Sequence, residues 1–152
     1  MDGGYHITLD GKPVRTPGGE TVLVQNQALA DALAEEWDVQ KTHIAFSTMG
    51  INQLVNSALD RGALDRAALA DELAAYGSTD LLCYRAEGPV ALVARQVAAW
   101  DPLLDWAEAR YGARLRVTSG IVAIEQDATV LAALQARIAM ADRFQLCALR
   151  AA

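Results

Sequence analysis

The sequence predicts an α+β protein: a small N-terminal mixed α/β domain, made of a meander plus a helix, followed by a mostly α-helical bundle domain. Two periodicities and one kind of punctuation predict it. Near the N-terminus apolar and polar residues alternate with the two-residue period of strands, and from Ser47 the apolar residues recur with the period of helices. Glycine and proline fall where elements should stop. The expected division is 1–46 for the α/β domain and 47–152 for the helical domain, which is expected to be incomplete at its C-terminus.

Tyr5, Ile7 and Leu9 alternate with His6 and Thr8, and Asp10-Gly11 then supplies a strong two-residue hairpin signal. Pro13 has no N–H to give to a ladder, so the returning strand should lie at a sheet edge or begin late. Pro17 and Gly18 suit the centre of a type II turn, ahead of a third strand from Thr21 to Gln25. Asn26 suits the N-cap of a helix with Leu29, Leu33 and Trp37 on one face and Asp31, Glu35 and Asp38 on the other. The segment 42–46 reads as a further strand.

Ile51, Leu54, Val55, Ala58 and Leu59 then fit a helical stripe. After a break at Gly62, Leu69, Leu73 and Tyr76 form a second stripe, with Gly77 placed as a C-terminal cap. Pro89 suits the first turn of a third helix that turns Val90, Val93, Val97 and Trp100 inward. Asp101-Pro102 predicts a new helix restarting at an angle, with Leu104, Ala107 and Tyr111 as its stripe and Gly112 as its stop. The stretch 113–126 is strand-like, with Leu115 and Val117 alternating against arginines. Leu131, Leu134 and Ile138 mark the last regular helix. A short piece follows, capped by Asp142 and carrying Phe144, Leu146 and Leu149. A helix so short is marginal unless something packs on it. Further helices are therefore expected beyond it.

Composition narrows the function. Hydrophobic residues make up 53% and charged residues 21%, a soluble globular profile, and no apolar run reaches the roughly 20 residues a membrane helix needs. No membrane insertion is expected. The net charge of −6 lacks the basic footprint that nucleic-acid binding requires. With two cysteines and no signal-peptide pattern, the expected place is a bacterial cytoplasm, or the mitochondrial matrix if the source is eukaryotic.

Catalytic signals are sparse. Cys83 and Cys147 lie far apart with no CxxC, so neither zinc nor a redox pair is expected. His6 and His43 have no nucleophile in a recognisable pattern, and the paired acids fall on polar helix faces. Phosphate-cradling glycine motifs are missing from the sequence, and no cofactor or metal is expected. The stretch "YGSTDLLCYRAEGP" (76–89) concentrates the most chemistry, in Asp80, Cys83, Tyr84 and Arg85. Its residues also suit a helix-to-helix corner, with Asp80 at a helix start and Arg85 free to pair with Glu87. Trp37, Trp100 and Trp106 fall on helical stripes, where tryptophan serves the core or a hot spot.

Four motifs occur in order: "LDGKPVRTP" (9–17); "ALAEEWDVQ" (32–40); "DELAAYGSTDLLCYRAEGP" (71–89) with "LVARQ" (92–96); and "WDPLLDW" (100–106) followed by "YGARLRVTSGI" (111–121). Together they resemble the assembly-chaperone family that binds the free α subunit of the F-type ATP synthase. The alanine-rich composition looks more like a bacterial, alphaproteobacterial member than a mitochondrial one. The resemblance implies an N-terminal mixed α/β domain, a C-terminal helical domain and no catalysis. It also implies binding to the isolated α subunit until the β subunit replaces the chaperone. Trp37, Tyr84, Arg85, Trp100 and Trp106 are the family-signature positions within the match, and Arg85 and Asp80 are the candidates for an exposed, partner-binding role. Family members continue through further helices, and a glutamate the family uses there has no counterpart in this sequence. Exposed apolar surface on the last helix, and self-association through it, is the corresponding expectation. Two other readings compete: a small enzyme with an inter-domain site around Asp80, Cys83 and Arg85, and a structural adaptor with a symmetric interface.

Overall fold

The computed structural model describes residues 3–60 and 66–152. In chain order its elements are β1 (Tyr5–His6), β2 (Thr8–Leu9), β3 (Lys12–Pro13), β4 (Leu23–Val24), α1 (Gln27–Asp38), α2 (Gly50–Asp60), α3 (Arg66–Ala75), β5 (Tyr84–Arg85), α4 (Val90–Tyr111), β6 (Thr118–Ser119), α5 (Ala128–Ala139) and α6 (Arg143–Ala151). Long helices beside very short strands make this the expected α+β class. Two compact units form, one from residues 1–66 with 142–152, the other from 67–141. That grouping differs from a boundary at 46, because α2 and α6 pack on each other and α2 also packs on α1.

In the first unit β1 pairs antiparallel with β4, Tyr5 opposite Val24, and β2 with β3, Thr8 opposite Pro13. Val14 N donates to Ile7 O at 2.8 Å and Val22 N to Val14 O at 2.9 Å, which joins the pieces into the expected three-stranded meander. Asp10 and Gly11 both take positive φ (51° and 75°), as a two-residue hairpin of the primed type requires. At the next turn Gly19 N donates to Thr16 O at 2.9 Å, with Pro17 and Gly18 central. The positive φ, however, falls on Gly19 at 91°, so this is not the expected type II turn. Gly18 is needed for another reason. A Cβ there would lie 2.6 Å from Asp60 Oδ1. Asp60 accepts from Gly18 N at 2.9 Å and from the Thr16 hydroxyl, tying the turn to the end of α2.

Asn26 caps α1 as expected, accepting from Leu29 N at 3.1 Å. Ile7, Val22, Val24, Ala30, Leu33, Val55 and Leu59 form the core, with Trp37, Ile51 and Phe144 packed against it. The stripe expected on α2 is partly displaced, since Leu54 is exposed and Asn52 is buried in its stead. Asn52 tolerates burial because its amide donates to Glu36 and to Leu33 O while its oxygen accepts from Trp37 Nε1. The strand expected at 42–46 does not form. Ala45 N is taken by the Gln40 side chain at 2.8 Å, and Thr48 N and Met49 N bond back locally in a 3₁₀ turn at Phe46–Thr48. α6 carries a capping box between Asp142 and Gln145, and its Leu146 is fully buried. The apolar stripe expected to stand open on this helix is thus largely used within the chain, with Leu149 left exposed.

In the second unit Cys83, Leu104 and Leu115 are buried, and Leu82, Tyr84, Ile124, Val130 and Leu134 pack around them. The break expected at Gly62 lies outside the described residues. Gly77 is not a C-terminal cap but sits inside a 3₁₀ turn, Tyr76–Ser78. A Cβ there would meet Leu134 Cδ1 at 3.2 Å, so glycine lets this turn approach α5. A second 3₁₀ turn, Leu81–Cys83, leads into β5. α4 is one helix running through Pro102, not two meeting at an angle. Pro102 removes a single intrahelical bond, and 22 continuous residues outlast the loss. The face expected to turn inward is poorly covered at its start, with Val90 85% exposed. Gly112, at φ 66°, ends the helix in the left-handed cap expected of it. The strand-like stretch shrinks to β6, parallel to β5, with Tyr84 opposite Thr118.

Candidate partner-binding surface

Five of the six positions singled out by the sequence lie in the second unit, and Trp37 lies in the first. Arg85 organises its surroundings. Nε donates to Leu82 O at 3.1 Å, Nη2 pairs with Asp101 Oδ1 at 2.8 Å in an ion pair outside hydrogen-bond geometry, and the guanidinium lies 5.2 Å from the centroid of Trp100. The side chain is 5% exposed, so the expectation of an exposed Arg85 does not hold. The expected pairing with Glu87 is replaced by Asp101, which α4 presents. Arg85 therefore holds the 81–83 turn, β5 and α4 together. Tyr84 is half-buried in the second core, and Trp100 is covered by Arg85. Trp37, half-buried, donates to Asn52 Oδ1 at 2.9 Å. Trp37 and Tyr84 pack against the first and second core respectively.

The reading of an enzyme around Asp80, Cys83 and Arg85 meets two obstacles. Arg85 is 5% exposed and its guanidinium is already engaged by Asp101 and Trp100. Cys83 is fully buried, and burial first, then the charge of Asp80, push its thiol pKa up against the smaller opposing effect of Arg85. A protonated, inaccessible thiol is no nucleophile. Cys147 is likewise pushed up, by burial. Among the described residues no cluster of His, Cys, Asp and Glu could hold a metal ion, and no helix is long and apolar enough to cross a membrane.

What the second unit does present is apolar surface. A groove of about 380 Å³ runs between the end of α3 with its following 3₁₀ turn, α4 and α5. Leu73, Tyr76, Leu103, Trp106 and Leu134 line it with Asp80. Tyr76 is 64% exposed and Trp106 56%, although the sequence placed Tyr76 on an inward stripe. Trp106 is steadied by Tyr111, edge to face at 5.2 Å between ring centroids. Asp80 stands at a turn start, its Oδ1 accepting from Leu82 N at 2.8 Å. Sequence reasoning missed Leu103 and the exposed role of Tyr76. Leu103 falls three before Trp106, a spacing that puts both on one helix face, and that was the available signal.

The described residues thus show a cored α/β unit, a helical unit with an open apolar groove, and a Cys83 thiol withdrawn from chemistry. The family model of the ATP12 chaperone protein matches residues 1–108. A point-mutant form of Atp12p from Paracoccus denitrificans is 43% identical, with a TM-score of 0.92 over 99% of this chain and 64% of that one. Another structure of Atp12 from the same organism gives 42% and 0.91, over 97% and 64% of the two chains. The Atu1473 protein of Agrobacterium tumefaciens gives 41% and 0.87, over 99% and 55%. The chain belongs to the ATP12 chaperone family. It spans less than two thirds of the length of these structures.

Proposed function

We propose that this chain is part of a non-catalytic assembly chaperone that binds the unassembled α subunit of the F-type ATPase. In this reading it shields the interface of that subunit until the β subunit takes its place. The family match, supported by structures above 40% identity across nearly the whole chain, carries the reading. The physical logic is that an unassembled subunit exposes an apolar patch of the kind that drives aggregation. A protective interface of roughly 1,000–2,000 Å² would suffice, provided a stronger partner can displace it. Release then needs no nucleotide chemistry, since competition by the β subunit supplies the driving force. The placement that goes with this function is the bacterial cytoplasm, or the mitochondrial matrix in a eukaryote.

Mixing the purified chain with isolated α subunit and running size exclusion, with light scattering in parallel, tests the reading. A shared peak, suppressed scattering, and loss of both on adding β subunit are expected. An α subunit that elutes and aggregates as if alone would refute it.

A further inference from the structure

We propose that the apolar groove of the second unit seats an amphipathic helical segment of the α subunit, one that carries apolar side chains three or four residues apart and a lysine or arginine meeting Asp80. The inference rests on the α-subunit reading and deepens it by naming the surface and the chemistry of the segment. Three observations lead to it.

First, the groove is open and apolar. Tyr76, Leu103 and Trp106 are each half or more exposed on its walls, while Leu104, Leu115 and Leu134 close its floor. About 380 Å³ is near the small end of the roughly 300–1,000 Å³ typical of binding pockets. It accommodates a few side chains from one segment rather than a broad surface.

Second, among the described residues Asp80 is the one charged residue lining it. Its Oδ1 caps the 81–83 turn, and its other oxygen takes no hydrogen bond among the described residues. An occupant that covers this half-buried carboxylate strips its water. A neutral or acidic segment would leave the charge uncompensated, whereas a cation placed beside apolar walls is attracted more strongly than in bulk water. Charge complementarity therefore selects a basic residue at that end of the occupant.

Third, the walls are helices and two 3₁₀ turns, joined by Asp80 and Leu115 from the connecting segments, and neither β5 nor β6 lines the groove. No strand edge is offered for backbone pairing. A helical segment, which satisfies its own peptide groups, therefore suits the groove better than a strand that would need an edge to pair with.

The test measures affinity for the isolated α subunit with the wild-type chain and with Leu103→Glu, Asp80→Asn and Ile121→Ser. Asn at position 80 retains the turn cap while removing the charge. Ile121 is 98% exposed and outside the groove, so its variant is the control. Far-ultraviolet circular dichroism and thermal melts confirm folding. The proposal expects Leu103→Glu to weaken binding by roughly 30-fold or more, as a hot-spot loss does. It expects Asp80→Asn to weaken it about fivefold at low salt, with the difference fading at high salt, and Ile121→Ser to leave it unchanged. If the wild type binds and the folded groove variants bind equally well, the groove is not the seat and the α-subunit reading survives. If the wild type does not bind, both fall. A wild-type dimer that Leu103→Glu dissolves, with α-subunit binding undiminished, would assign the groove to a second copy of this chain and overturn the proposal.

Discussion

Glu36 receives three hydrogen bonds, from Ile51 N at 2.9 Å, Asn52 N at 2.8 Å and Asn52 Nδ2 at 2.8 Å. A carboxylate on α1 thereby caps the start of α2, where amide donors and the helix dipole favour negative charge. Burial raises its pKa, but the bonds from Ile51, Asn52 and the Asn52 side chain together outweigh burial and leave it below the ordinary 4.5. Because the folded pKa is lower than the unfolded one, the stabilisation is fully present above the unfolded value. It is lost as pH falls through the folded value. Urea midpoints measured downward from pH 6 should therefore drop below about pH 5, and part of that drop should vanish in Glu36→Gln. At pH 7 the variant should be less stable by about 1–2 kcal/mol, as for loss of charge-assisted bonds at a helix start. A variant with the same acid profile as the wild type would show that Glu36 is not the linked group. Asn26, Asp142 and the Asp10-Gly11 turn were legible because their partners lie within a few residues. Ile51, which bonds Glu36, and Asp101, which pairs with Arg85, lie 15 and 16 positions away from them, and no local pattern announces them.

At the scale of elements, periodicity marks every α-helix among the described residues, but local punctuation overstates the breaks between them. Asp101-Pro102 has the local form of a new helix start, yet α4 passes through it. The helix continues because Leu104 is buried in the second core and Asp101 pairs with Arg85, fixing backbone on both sides of the proline. Pro102 still leaves the carbonyl of Ala98 without its usual partner. Pro102→Ala should restore that bond at a small entropic loss through the unfolded chain. A net gain of about 1–3 kcal/mol in stability is expected, with slower amide exchange near residues 98–102. No gain would mean the Ala98 carbonyl is satisfied in another way. The short strands were less legible. Whether an apolar run such as 42–46 pairs depends on a free edge elsewhere, and here Gln40 claims its amide first. The groove is the same kind of case. Leu103 and Tyr76 carry no mark distinguishing a binding wall from a core face until the neighbouring helices are in place.

For the molecule as a whole, the sequence order of elements is not their packing order. Residues 142–152 come last, yet they belong to the unit that begins the chain, because α6 packs on α2. The spacing of Phe144, Leu146 and Leu149 marked an amphipathic helix but could not say what it covers. Long-range partners leave no periodic signature, so this return was the least legible part of the fold. The packing makes a test possible that separates the two units. Leu146 is fully buried and α6 is only nine residues long, so the helix depends on packing rather than on intrinsic propensity. Leu146→Ala should cost about 2–5 kcal/mol in the first unit, through lost transfer energy and the cavity left behind. Hydrogen exchange should then accelerate in α2 and α6, while the amides of α4 and α5 keep wild-type protection. Uniform acceleration through α4 and α5 would show that the units unfold as one and that the division by packing has no thermodynamic counterpart. Selective acceleration would show that the groove-bearing unit holds its shape independently of the helix that closes the other.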